Sequence, residues 1–386
     1  MTVFPTSHIQ GFRCRRILTM DPKRPVLNNG IIWTGHGSIL AIGPYSLAKD
    51  DFPAPIQDLG EQTMVPGLLN AHTHLELSHL RGLTTPGEGF APWVQSLLKL
   101  PVQKLEPDLI HQAIQEMVAL GVAGIGDISG QNPRRMHEIH TELPIPTRLF
   151  VEFLGFSSSS VVSWPVDTHP RDAFLTAAGH ALYSTHPDLL HKVKSWTARY
   201  NRPFSMHLAE HEGELELLAT GQGDFADFLR GKLLPDSYRP PGLSPVAYAD
   251  RMGLLDHKTL AVHCVHLSRR DIHTLRDKMV HVCLCPRSNA YIQCGRPPAE
   301  DLHRTGVNLC LGTDGLSSNH DLNLWNEARY LAHMWQGNLS LTELISLITI
   351  NPARALNLEQ TTGSLQPGKL ARFSLVPREL EHSLPL

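Results

Sequence analysis

The chain has 386 residues, a formal charge of −3, 41% hydrophobic residues and 18% charged residues. That length exceeds one simple core and accommodates an α/β barrel with a smaller companion. The near-neutral balance excludes an electrostatic preference for nucleic acid, and no apolar run approaches the length of a bilayer span.

In chain order, the first sixty or so residues carry short β-like pieces at 16–20, 30–33 and 38–42, separated by Pro and Gly turns. From Met64 onward, short apolar runs alternate with longer amphipathic segments, the pattern of repeated β-α units around a parallel sheet. Eight candidate strands follow, at 64–71, 124–128, 149–154, 176–180, 203–207, 259–263, 281–285 and 307–313. Helices are expected at 107–120, 268–276, 321–334 and 341–356. The Ser-rich, aperiodic stretch 156–170 reads as a loop, and 235–245, with Pro240-Pro241-Gly242, as a surface excursion. The tail 363–376 turns β-like again and is expected to rejoin the N-terminal β unit. The expected architecture is a (β/α)8 TIM-like barrel over 64–357, with a small β-sandwich domain built from 1–63 and 358–386. The segment Met1-Thr2-Val3-Phe4-Pro5 lacks the basic and apolar regions of a secretory signal, so a cytoplasmic protein is expected. The six cysteines lie mostly in apolar strand-like segments, which favours reduced core thiols. Cys283-Leu284-Cys285 has no second closely spaced pair to complete a structural zinc site.

Chemistry concentrates where the apolar runs end. In an eight-stranded α/β barrel the C-terminal strand ends converge on one mouth. His72 and His74 close the first candidate strand, His180 the fourth, His207 the fifth and His263 the sixth, while Asp314 follows the eighth. His72 and His74, two apart on a strand, share a face and can aim both imidazoles at one ion. Three neutral imidazoles and a carboxylate suit zinc or ferrous iron and leave an open coordination position.

The segments Pro66-Gly67 to His74, Met206-His207-Leu208-Ala209-Glu210, Val262-His263-Cys264-Val265, Cys285-Pro286-Arg287-Ser288-Asn289 and Leu311-Gly312-Thr313-Asp314-Gly315 together resemble the ordered motif set of the amidohydrolase superfamily. Within it they are similar to the mononuclear nucleobase and nucleoside deaminase branch, which also includes triazine dechlorinases. The resemblance implies that His72, His74, His207 and Asp314 bind one divalent ion, zinc foremost and iron second. It further implies that Glu210 and His263 face the substrate and the attacking water. Hydrolysis at a ring C–NH2 carbon needs a group to protonate the ring nitrogen and another to carry a proton to ammonia. Glu210 suits the first task, Asp314 can take the proton of the water, and His263 would orient or polarise it. The chain has no lysine in 176–185, where binuclear relatives carry a bridging one, so a single ion is expected.

Each residue also has a plainer reading. Glu210 could be a carboxylate at the start of a helix, Asp314-Gly315 a turn, and His266 a rival to His263. Gly179-His180-Ala181-Leu182-Tyr183-Ser184 resembles a substrate-contacting segment of the family with Leu182 in place of its proline, so His180 is assigned to substrate. Trp93, beside Phe90, would stack on a substrate ring or serve as a plug. Ser288 and Asn289 are expected to give polar contacts to the purine side, with Arg287 either joining them or lying on the surface. The segment from Leu75 to Val94 resembles aminofutalosine deaminases of menaquinone biosynthesis. Methylthioadenosine/adenosylhomocysteine deaminases, guanine deaminase and a triazine dechlorinase are the alternatives, with a catalytically silent scaffold as the non-enzymatic one. The expected partners are a small nucleoside-like substrate and water, with no nucleic acid or membrane, and a homodimer is possible in such barrels. Arg372 stands where the family's tail carries an aspartate, a departure that concerns the small domain.

Overall fold

The computed structural model describes residues 8–156 and 173–386, together with the backbone of Thr2 and Val3. All but Phe156 of the Ser-rich stretch 156–170 lies outside the described residues. Eight parallel strands form one sheet in sequence order: β1 (Leu68–Thr73), β2 (Val122–Ser129), β3 (Thr147–Phe153), β4 (Leu175–Gly179), β5 (Phe204–Leu208), β6 (Thr259–His263), β7 (His281–Leu284) and β8 (Asn308–Leu311). The sheet closes where the N–H groups of Thr313 and Asp314 both donate to the carbonyl of His72, at 3.1 Å each. A second, seven-stranded mixed sheet takes its strands from both chain ends. Phe373–Leu375 lies antiparallel to Thr63–Pro66, which runs parallel to Gln10–Leu18. Its core holds Phe12, Ile17, Ile32, Met64 and Phe373.

Alternation along the strands explains the two faces of the barrel. Leu69, Ala71, Ile128, Phe150, Ala178, Leu260, Val262, Cys283, Cys285 and Cys310 fill the interior, with Ala353 and Leu356 in the same cluster. Leu68, Ile125, Leu149, Ala177, Met206 and Leu309 point the other way, into the core shared with the surrounding helices. The six cysteines are buried free thiols.

Two expected elements divide. The run 64–71 is two strands, Thr63–Pro66 in the small sheet and β1 in the barrel. Pro66 has no N–H to continue a ladder, and a Cβ on Gly67 would lie 2.3 Å from that of Ala123, so the crossing between the sheets demands glycine. The expected helix 341–356 is Leu341–Ser346 followed by Ile350–Ala355, because Pro352 cannot donate to the carbonyl of Ile348. In the tail, only Phe373–Leu375 is strand. Among the described residues no helix is long and apolar enough to cross a membrane.

Candidate metal centre and active site

The strand ends bring four of the expected side chains together. His72 Nε2 lies 3.2 Å from His74 Nε2, and Asp314 Oδ1 lies 3.5 Å from each. The nearest ring nitrogens of His72, His74 and His207 all fall within 4.8 Å of one another. Bonds of about 2.0–2.1 Å in a tetrahedral zinc site put ligand atoms roughly 3.3 Å apart, so these separations match a shared cation better than a set of hydrogen bonds.

Protonation fits the same cation. Burial, with His72 beside it, takes His74 down to about 3, and burial with His72 takes His207 down to about 4, leaving both imidazoles neutral. Burial would raise Asp314. The hydrogen bond from His72 and the nearby His74 and His263 outweigh it and hold the carboxyl well below the usual carboxylate range. The tautomer of His207 is set by its surroundings: Nδ1 lies 3.1 Å from the carbonyl of His180, which can only accept, so the Nε2 lone pair is free. The second oxygen of Asp314 is fixed by two hydroxyls, with Ser288 and Ser318 each donating to Oδ2 at 2.6 Å.

Two of the histidines reach the mouth by departures from plain alternation. Leu69 and Ala71 face the interior, so an unbroken β1 would turn His72 outward. Between the pairs Asn70–Ile125 and Thr73–Asp127, β1 carries one more residue than β2, and this bulge resets the face. On β6, Leu260 and Val262 face in, and His263 is brought in by a left-handed backbone with φ 73°. The close approach of β8 needs Gly312, where a Cβ would stand 2.8 Å from the Cβ and carbonyl oxygen of His72.

Beside this cluster, His263 Nε2 lies 3.5 Å from Glu210 Oε1. With the Asn289 amide donating to His263 Nδ1 at 3.1 Å, the Nε2 hydrogen faces Glu210. Glu210 precedes the helix Glu212–Thr220, which His211 caps, so its carboxyl is not a first-turn carboxylate. Its N–H donates to Glu214 Oε2 at 2.9 Å. Burial, then Asp314 and Glu214, push the Glu210 carboxyl well above its ordinary value.

Of these groups, His74, His207, Glu210, His263 and Asp314 line a cavity of about 410 Å³. His180 and Trp93 line it. The His180 ring meets the Ser184 hydroxyl at 2.5 Å, and the Trp93 indole N–H donates to the carbonyl of Ser317 at 2.9 Å. Phe90, also in the wall, stacks on His211 at 3.7 Å. Two residues fall elsewhere than expected. Ser288 and Asn289 are fully buried behind Asp314 and His263 and do not line the cavity, because the helix Pro286–Ile292 turns them beneath the mouth. The Arg287 guanidinium pairs with both oxygens of Asp321, at 2.6 and 3.0 Å. His266 Nε2 donates to the carbonyl of Cys294 at 2.6 Å, apart from the cluster.

Sequence reasoning missed Glu76 and Glu152. Glu76 lines the cavity, but its carboxylate is saturated by the Ser129 hydroxyl and the N–H groups of Gly130, Gln131 and Asn132. Burial, then Glu76 and Asp314, push Glu152 up to about 8. Its place at the end of a strand, two residues after Phe150, was the available signal.

Neutral imidazoles and an ionised carboxylate at the C-terminal mouth of a parallel barrel define a hydrolase-type barrel with a candidate metal centre. The chain belongs to the amidohydrolase family, whose pattern matches residues 63–383. The 5-methylthioadenosine/S-adenosylhomocysteine deaminase of Syntrophobacter fumaroxidans is 28% identical over 394 residues, covering 96% of this chain and 85% of the relative. A 5′-deoxyadenosine deaminase of Methanothrix thermoacetophila is 27% identical over 338 residues, with coverage of 83% and 75%. The crystal structure of Helicobacter pylori aminofutalosine deaminase in complex with methylthio-coformycin superposes with a TM-score of 0.79 at 25% identity, covering 95% of this chain and 91% of that one.

Proposed function

We propose that this enzyme hydrolytically deaminates the adenine ring of a nucleoside with an extended, largely apolar 5′ substituent, and that His72, His74, His207 and Asp314 hold one zinc ion. The observation that carries the reading is the shape of the cavity. It is lined at one end by His74, His207, Asp314, Glu210 and His263, and elsewhere by Leu77, Val94, Leu97, Phe228 and Leu233. Among the described lining residues Lys232 is the one lysine or arginine, its ammonium 3.9 Å from the Phe228 ring centroid. An apolar substituent ending in a carboxylate suits that apolar wall, which makes 6-amino-6-deoxyfutalosine, with its benzoate end, the best single fit. The likeness to the Helicobacter enzyme supports it. The curated relatives support methylthioadenosine as the second reading, since a short thioether also matches apolar walls. The zwitterionic tail of adenosylhomocysteine finds less to pair with there.

A bound ion of this kind supplies Lewis acidity that brings the pKa of a water toward neutrality. The chain's own residues do the rest. The Glu210 carboxyl, pushed up by burial, holds a proton to give to the ring nitrogen, and the His263 N–H beside it orients the water. Asp314 accepts the proton released as the oxygen–carbon bond forms. That proton then leaves with the amine as the carbon–nitrogen bond breaks, and the proton left on the added oxygen returns to Glu210, so the products are ammonia and the oxo ring and the carboxyl is restored. Phe90 and Trp93 exclude bulk water from one side of the cavity.

The test is ammonia release by zinc-loaded protein from 6-amino-6-deoxyfutalosine, methylthioadenosine, adenosylhomocysteine, adenosine, guanine and a chlorotriazine, with Glu210→Gln as the blank. Preferential turnover of an adenine nucleoside with an apolar 5′ group is expected. Turnover of guanine alone, or chloride release without ammonia, would overturn the proposal.

A further inference from the structure

We propose that Glu214 is a positioning residue for Glu210: its carboxyl oxygen accepts the Glu210 N–H and so holds the peptide unit from which the Glu210 side chain is aimed at the reacting ring. This rests on the adenine-nucleoside reading above and adds to it a residue that lies outside the cavity lining.

The chain leaves β5 at Leu208, turns through Ala209 in a left-handed conformation with φ 52°, and enters the helix Glu212–Thr220 two residues after Glu210. The peptide unit between Ala209 and Glu210 is held from both sides. Its carbonyl, on Ala209, accepts the N–H groups of Val265 and His266 at 2.9 Å each, and its N–H, on Glu210, donates to Glu214 Oε2 at 2.9 Å. Because a peptide unit is planar, contacts at both ends fix its orientation, and with it the starting direction of the Glu210 side chain. Val265 and His266 follow His263, whose Nε2 lies 3.5 Å from Glu210 Oε1, so one frame orients both members of that pair.

Closing the helix does not account for Glu214. His211 already caps it, with Nδ1 accepting the Glu214 N–H at 3.2 Å. In a capping box the carboxyl at the third helical position returns to the N–H of the cap residue itself, whereas Glu214 reaches one residue further back, past His211, to Glu210. Glu214 is fully buried, and its Oε1 has no hydrogen-bond partner. Burial takes its pKa up to about 7, and the groups that act against burial are the N–H of Glu210 and that of Ala209. A buried carboxyl costs stability unless hydrogen bonds offset it, and here those bonds go to the segment that carries the proton donor. Strain supplies the reason. A left-handed alanine is unfavourable, and rotation of the peptide unit that follows it would relieve the strain once the acceptor on one side is gone. The Glu210 carboxyl would then leave its place facing His263.

The experiment measures kcat and KM for methylthioadenosine and adenosine in the zinc-loaded wild type and in Glu214→Leu, Glu214→Asp and Glu214→Gln, with zinc content and melting temperature for each protein. The first variant keeps the bulk and removes the acceptor, the second keeps the charge but is one methylene short of Glu210, and the third keeps an acceptor oxygen at full length. Glu214→Leu and Glu214→Asp should lose about 10- to 100-fold in kcat, the scale of a displaced catalytic group, with KM within about threefold of wild type and zinc content unchanged. Glu214→Gln should recover kcat to within about fivefold of wild type. Wild-type kcat in Glu214→Leu or Glu214→Asp would overturn the proposal. Loss of zinc, or a rise in KM matching the fall in kcat, would overturn it by giving Glu214 a merely structural role. A Glu214→Gln protein as slow as Glu214→Leu would overturn it by making the charge, not the acceptor, the property that matters. If Glu214→Leu does not fold, the other two variants decide by the same criteria. A wild type that deaminates no adenine nucleoside overturns the deaminase reading and this proposal together, whereas an active wild type with equally active variants overturns this proposal alone.

Discussion

Replacing Ser288 by alanine removes one of two hydroxyls that donate to Asp314 Oδ2 at 2.6 Å. Ser288 is fully buried and outside the cavity lining, so the change touches the substrate only through Asp314. A hydrogen bond to an ionised group contributes about 1.5–3 kcal/mol, and at about 1.4 kcal/mol per factor of ten that is roughly 10- to 150-fold in an equilibrium constant. Partners that orient a ligand from outside the coordination shell carry about 10- to 100-fold in metal affinity, the same range from an independent direction. Because Ser318 remains on the same oxygen, Ser288→Ala should weaken zinc binding by about tenfold, at the low end of that range. The Ser288→Ala/Ser318→Ala double variant should lose at least another factor of about ten, since the carboxylate is then free to rotate away from His72 and His74. Zinc affinity is measured by competition with a chromophoric chelator, and the melting temperature of the metal-free proteins separates folding from binding. A double variant with wild-type zinc affinity would refute the positioning role. An increase in KM at unchanged zinc affinity would instead return Ser288 to the purine contact expected from sequence.

Glu210→Gln removes a proton carrier and none of the proposed ligands, so it should keep one zinc per chain by elemental analysis and lose turnover by at least about a hundredfold, the scale of general acid–base catalysis. Gly312→Ala puts a Cβ 2.8 Å from the backbone of His72, and should lower both the melting temperature and the zinc content, measured together on the purified variant. Prolonged dialysis against a strong chelator should abolish ammonia release, and added zinc should restore it. Activity that survives with zinc below one-tenth occupancy would remove the metal from the mechanism. Lys232 is exposed, so Lys232→Ala should raise KM for a carboxylate-ended nucleoside only about two- to fivefold, the scale of a screened ion pair, and leave methylthioadenosine unaffected.

The parts of this site that could be read from the sequence are those that obey the two-residue period of a strand. Phe150 and Glu152, Ala178 and His180, Ser205 and His207, and Cys310, Gly312 and Asp314 keep one parity from the barrel interior to the mouth. Glu152 was legible by that rule, but its neighbours carry no motif to draw attention to it. His72 and His263 break the period, one through the bulge of β1 and the other through a left-handed turn, and motif context rather than alternation made them visible. Ser288 and Asn289 follow a strand as substrate-binding residues do. Their inward turn depends on the helix that starts at Pro286, whose orientation no local pattern encodes. The division of 64–71 between two sheets was hidden for a similar reason, since Gly67 is required by its contact with Ala123, distant in sequence.

The same breaks in regularity explain why the site can be rigid without being regular. Ala209, His263, Cys264 and Asp314 all have left-handed backbones, with φ of 52°, 73°, 48° and 58°. Such conformations cost non-glycine residues of order 1–3 kcal/mol each and persist only where surrounding contacts over-determine them. Those contacts are present. The N–H of Cys264 donates to the carbonyl of Leu208, those of Val265 and His266 both donate to Ala209, and that of Asp314 donates to His72. Each strained residue on β5, β6 or β8 is therefore held by the backbone of a neighbouring strand end, and the held residues are, or directly adjoin, the groups assigned to metal and proton transfer. A carboxylate and imidazoles fixed this way need little reorganisation when charge develops on the ring, which is the condition for electrostatic stabilisation to lower a barrier. The hydrogen bonds at the mouth thus serve closure of the barrel and geometry of the reaction at once, so changes at Gly312 or Ala209 should register in catalysis before they register as loss of fold.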